Sequence, residues 1–195
     1  MRRLFESAAI VLVASVAFAG SAFATTTISA ETYVETLCRG IDTLATQVQQ
    51  LGPAASDARN AYDTTPSHAN AIALRQSTID VLDLGAKYAD QLAATSAEIG
   101  SPEIPQGSKF AKAVSAHWRY EAGVLQSMAD QARDLDVSSS SGFHRDYEAL
   151  ETDLGIALRR SDKQARKNPA FKNLPPSVQP LVVFITTNAS TCATA

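Results

Sequence analysis

No CxxC pair, no Cys-His spacing and no CxxCH segment occurs in this sequence, whose 195 residues hold only two cysteines, three histidines and two methionines. A thiolate zinc site and a covalently attached haem are therefore not indicated. Helical proteins that hold two metal ions place Glu-x-x-His on two helices and a further glutamate on each of the others. That pattern is missing too, so neither a metal nor any other cofactor is expected. No GxSxG turn surrounds the serine run at Ser138–Ser141 near His144, and no glycine-rich loop is built to cradle phosphate. The expectation is a protein that is not an enzyme. A large excess of either charge is also lacking: 17 basic against 20 acidic residues leave a net charge of −3, which gives no reason to expect a nucleic-acid partner.

Long apolar runs are absent as well, apart from one short segment at the start. Arg2 and Arg3 supply a positive beginning, Ile10 to Phe18 an apolar stretch, and Ala22-Phe23-Ala24 the small residues read by a signal peptidase. From Leu4 to Ala24 the chain is interrupted by Glu6, Ser7, Ser15, Gly20 and Ser21, so its apolar part falls short of the roughly 20 residues of a spanning helix. Residues 1–24 are thus expected to be a cleaved export signal and 25–195 a single extracytoplasmic domain, with no stable transmembrane segment after processing. A lipid-bearing cysteine would have to follow Ala24, and Thr25 stands there.

In an oxidising compartment, Cys38 and Cys192 are most simply a pair. Closing a loop of about 155 residues would contribute about 5 kcal/mol as an upper figure in the chain-entropy estimate. The alternative is two separate thiols, with Cys38 a small core residue beside Leu37 and Ile41.

The mature chain reads as helical throughout. Val34, Leu37, Ile41, Leu44, Val48 and Leu51 recur at steps of three and four, which places them on one stripe of a helix over 31–51. Ser29 is its expected cap and Gly52-Pro53 its expected stop. Residues 54–64 are left as a loop or short helix. A second helix follows Thr65-Pro66 and runs to about Ile99, and the glycines and prolines of 100–107 form a connector. A third spans about Ser108 to Leu135. A fourth carries Phe143, Tyr147, Leu150, Leu154, Ala157 and Ala165 and ends at Asn168-Pro169. The β-branched run Leu181–Ile185 has strand propensity, but a lone strand would leave its backbone donors unpaired, so a short helix over 177–189 is expected. No segment shows the period of two that strands require. The fold class is all-α, an up-and-down four-helix bundle with a short C-terminal capping helix.

The segment Tyr33-Val-Glu-Thr-Leu-Cys38, the connector Ile99-Gly-Ser-Pro-Glu-Ile-Pro-Gln-Gly107 and one cysteine close to the C-terminus resemble small exported helical proteins and lipoproteins of actinobacteria. The resemblance implies a secreted or cell-envelope location and no particular activity. Asn188-Ala189-Ser190 matches a glycosylation acceptor, which matters only in a eukaryotic source.

Three places on the chain invite a functional reading. His117, Trp118 and Glu121 form the densest aromatic and polar cluster, a possible ligand pocket between helices, although Trp118 also falls on the apolar stripe between Val114 and Leu125. His117 and Glu121, like His144 and Glu148, stand one helical turn apart and read most simply as solvent-facing pairs. Arg159, Arg160, Lys163, Arg166 and Lys167 gather at the end of the fourth helix, opposed only by Asp162. They suit either a solvated face that complements the helix dipole or contact with an anionic envelope component. The leading expectation is a non-enzymatic binding or structural module of the envelope that acts through its surface on an anionic component or a protein partner. The other is a carrier of a small apolar or aromatic ligand near Trp118.

Overall fold

The computed structural model describes residues 26–187 and Cys192. The expected export signal and the Asn188–Ser190 acceptor lie outside the described residues. Five α-helices make up most of the structure: α1 (Ala30–Thr64), α2 (His68–Glu98), α3 (Gly107–Arg133), α4 (Ser140–Lys167) and α5 (Gln179–Thr187). The all-α class is as read, and Ser29 caps α1 by accepting from the Thr32 amide.

Several expected boundaries move. Gly52-Pro53 does not end α1, which continues to Thr64 with Pro53 inside it. Proline lacks one donor and normally breaks a helix interior. Here the second half of α1 is held by tertiary contacts that outweigh local propensity: Ala55 and Tyr62 are buried, and Arg59 pairs with Glu151 of α4 at 2.8 Å. Ser67 caps α2 by accepting from the Asn70 amide, while α3 begins at Gly107, directly after Gln106 in the left-handed region.

A period of two was not expected anywhere, yet a two-residue parallel ladder joins β1 (Thr27–Ile28) to β2 (Ser101–Pro102). Two residues are too few to leave a pattern in the sequence. The pairing pins the chain just before α1 against the connector, with the Ser101 amide donating to Thr26 O at 3.0 Å and the Glu103 amide to Ile28 O at 2.8 Å. Gly100 makes it possible, because its φ of +97° is unfavourable for side chains and a Cβ there would strike the Thr26 carbonyl.

Buried side chains fall into two separate clusters. One gathers Tyr33, Leu37 and Ile41 from the start of α1, Leu92 from the end of α2, Phe110, Val114 and Trp118 from the start of α3, and Leu181 and Ile185 from α5. Cys38 and Cys192 belong to it and form a disulfide, with 5.1 Å between their Cα atoms, so the pairing read from the sequence is present. The other cluster takes the opposite halves of the same helices: Tyr62 of α1, Leu74 and Leu82 of α2, Met128 and Ala132 of α3, and Phe143, Tyr147 and Leu150 of α4. Among the described residues no helix is long and apolar enough to cross a membrane.

Candidate functional site

A partly enclosed cavity of about 210 Å³ opens between these two clusters, walled by all four long helices. Leu44 and Val48 come from α1, Val81, Leu82 and Gly85 from α2, Leu125 from α3, and Tyr147, Leu150, Leu154 and Leu158 from α4. Its origin lies in how α1 and α4 are held. At one end they meet directly, through the Arg59–Glu151 pair and the edge-on contact of Tyr62 with Phe143 at 5.1 Å. At the other end α5 lies against both of them. Between these fastenings Leu44 and Val48 are only half-buried, and α2 offers Gly85, against which Leu125 packs so closely that a Cβ would lie 3.1 Å from its Cδ1.

Polar groups enter this apolar wall at a few points: Glu121, Glu151, Asp162, Thr78 and the Tyr147 hydroxyl. Glu151 is neutralised by Arg59, which also binds Asp63 at 2.9 Å and lies over the Tyr147 ring at 5.0 Å. Thr78 and Tyr147 hydroxyls meet at 3.2 Å. Glu121 and Asp162 have no comparable cation. Burial pushes the Glu121 carboxyl above its usual range, aided by the nearby Asp162 charge and opposed by a hydrogen bond from Ser161. Asp162 is likewise raised by burial, with Arg166 pulling the other way.

His117 stands 3.9 Å from Glu121, and the Ser161 hydroxyl is 3.4 Å from its Nδ1. The expectation of a solvent-facing pair is wrong here: the His117 side chain is 8% exposed, and burial lowers its pKa to about 4. A carboxylate neighbour alone would raise a histidine pKa, so desolvation is the larger effect. His117 is therefore neutral at pH 7 and brings no charge to Glu121. The His144–Glu148 pair, at 3.4 Å and about half exposed on both sides, does face solvent. Among the described residues no three His, Cys, Asp or Glu side chains converge closely enough to hold a metal ion.

Of the three residues read as a pocket, only Glu121 reaches the cavity. Trp118 is 3% exposed within the disulfide-end cluster, 6.1 Å from the Phe184 ring. His117 lines a smaller hollow of about 150 Å³ with Tyr120, Ser161 and Phe171. Arg119 faces an open groove between α2 and α3, and Arg75 donates to Leu135 O at 3.1 Å, so neither meets Glu121. The cavity residues that the sequence did not mark include Leu125, Tyr147 and Leu154, which read as ordinary core stripe, and Asp162, which reads as the one counter-charge within the basic run. Arg159, Arg160, Lys163, Arg166 and Lys167 are all exposed, and Arg166 ties α4 to α5 by donating to Thr186 O at 2.9 Å. Asp162 turns inward from this group to the cavity wall.

No family model matches the chain, and neither a curated protein nor a solved structure is similar to it.

Proposed function

We propose that the protein is an exported, non-enzymatic carrier that holds a small, largely apolar molecule in the central cavity of an up-and-down four-helix bundle. The observation that carries this reading is the cavity itself: a gap lined chiefly by leucine and valine at the level where all four long helices ought to fill their core. Interiors are ordinarily packed to crystal-like density. Apolar cavities of about 150 Å³ stay dry and accept benzene, so about 210 Å³ suits one ring with a short substituent. The cavity that supports the carrier reading lies beside Glu121 and Leu125 and does not include Trp118. Export rests on the signal-like start and the resemblance to exported actinobacterial proteins, and the disulfide is compatible with it.

The test is a titration of the intact protein with 2-phenylethanol, followed through the methyl resonances of Leu82, Leu125 and Leu154. Saturable shifts confined to these methyls are expected, and Val48→Phe, which projects a ring into the gap, should abolish them. Methyls that do not respond in the unsubstituted protein would remove the carrier reading.

A second reading is favoured by one observation. The five exposed cations of α4 share one local counter-charge, Asp162, which also lines the cavity wall. We propose that this face contacts an anionic envelope component. Sedimentation with vesicles containing anionic lipid should fall steeply as salt rises. Binding that ignores ionic strength would count against it.

A further inference from the structure

The cavity is the site; the charges at its wall decide what it takes. Of the three carboxylates that line it, Glu151 is matched by the Arg59 guanidinium at 2.8 Å. Glu121 and Asp162 form no ion pair with lysine or arginine among the described residues, and the nearest basic ring to Glu121 is His117 at 3.9 Å. These two carboxylates also repel one another. Both sit at the α3–α4 side of a wall that is otherwise leucine and valine. No three potential ligand side chains converge on a point, so the geometry lacks the focus that a metal ion requires, whereas an organic cation can spread its donors over two separated acceptors.

From this juxtaposition we infer that the ligand is a small amphiphile with an apolar body and one protonated amine, the body lying among Leu82, Leu125 and Leu154 and the ammonium between Glu121 and Asp162. The inference rests on the carrier reading above and deepens it. An ammonium offers three donors and no acceptor, which matches acceptor-only carboxylates. A charge-assisted bond in a partly desolvated site is stronger than a neutral one. A carboxylate ligand would bring a third negative charge to the same wall and should be rejected. The protein as it stands already supplies the partial partners of both groups: the Ser161 hydroxyl for Glu121 and the attraction of Arg166 for Asp162. Neither neutralises its carboxylate, which leaves the charge for the ligand to meet.

Three matched probes test this on the intact protein at pH 7: 2-phenylethylamine, its neutral counterpart 2-phenylethanol, and 3-phenylpropanoate. The amine is expected to bind about tenfold more tightly than the alcohol, the margin of one charge-assisted hydrogen bond, and the anion more weakly than either. The variant Glu121→Gln with Asp162→Asn should abolish the preference for the amine over the alcohol. Equal binding of amine and alcohol by the unsubstituted protein would overturn the amine inference and leave the carrier reading standing. Silence with all three probes would overturn both. The unsubstituted protein decides the matter even if the double variant fails to fold.

Discussion

The disulfide end and the middle of this protein are made from the same apolar stripe of α1, and they are filled differently. Tyr33, Val34, Leu37 and Ile41 are at most 2% exposed, whereas Leu44 and Val48, the next members at the same spacing, are half-buried and border a void. At the disulfide end α5 and the C-terminal cysteine supply a lid of side chains to fill against. At the middle, Leu44 and Val48 of α1 face Leu150, Leu154 and Leu158 of α4 across the cavity. A continuous stripe thus records which way a helix faces, and not whether the space it faces is occupied.

Cutting the Cys38–Cys192 bond should produce the largest loss. Its loop spans 154 residues, and Cys38→Ser with Cys192→Ser should cost up to about 5 kcal/mol by denaturant unfolding. A loss under about 1 kcal/mol would mean that α5 stays docked without its tether. Next comes a direct contrast of the two regions. Leu37→Ala, in a wall with no slack, should cost about 3 kcal/mol or more, and Leu154→Ala, already beside a void, about 1 kcal/mol, because the cavity term scales with newly emptied volume. Equal costs would erase the distinction drawn here.

A smaller effect depends on pH. Folded His117 titrates at about 4 against an ordinary 6.5, so the unfolded chain binds the proton more readily. Stability contributed by the neutral ring is complete above pH 6.5 and is lost as pH falls towards 4, by at most about 3 kcal/mol and by less once the interior relaxes. Glu121 acts in the opposite sense: its raised pKa means that stability falls as pH rises from the usual carboxylate range through the raised value. Acid unfolding of His117→Asn should therefore show a shallower slope than the unsubstituted protein between pH 6.5 and 4. An unchanged slope would place the charge-sensitive group elsewhere.

Much of the frame was legible. Alternation of three and four located the long helices, and two cysteines far apart in sequence announced the staple. The continuation of α1 through Pro53 was not, because the contacts that override proline come from Glu151 and Phe143, about a hundred residues away in the chain. The short ladder of β1 with β2 leaves no periodic trace. The candidate site was least legible of all. Trp118 stood out by composition and proved to be core, since a large aromatic on an apolar stripe is first of all filler. Asp162 was hidden among arginines and lysines, and only the rotation of α4 shows it turning inward. Leu125, Leu154 and Leu158 carry no mark that separates a cavity wall from a packed core.

Diffraction from crystals of the protein pressurised with xenon shows whether the middle is empty, since xenon settles against apolar walls such as the leucines of this cavity without needing a polar partner. A xenon peak is expected among Leu82, Leu125 and Leu154, and none within the disulfide-end cluster around Leu37 and Trp118. A filled middle with no peak, or a peak only at the disulfide end, would contradict this expectation.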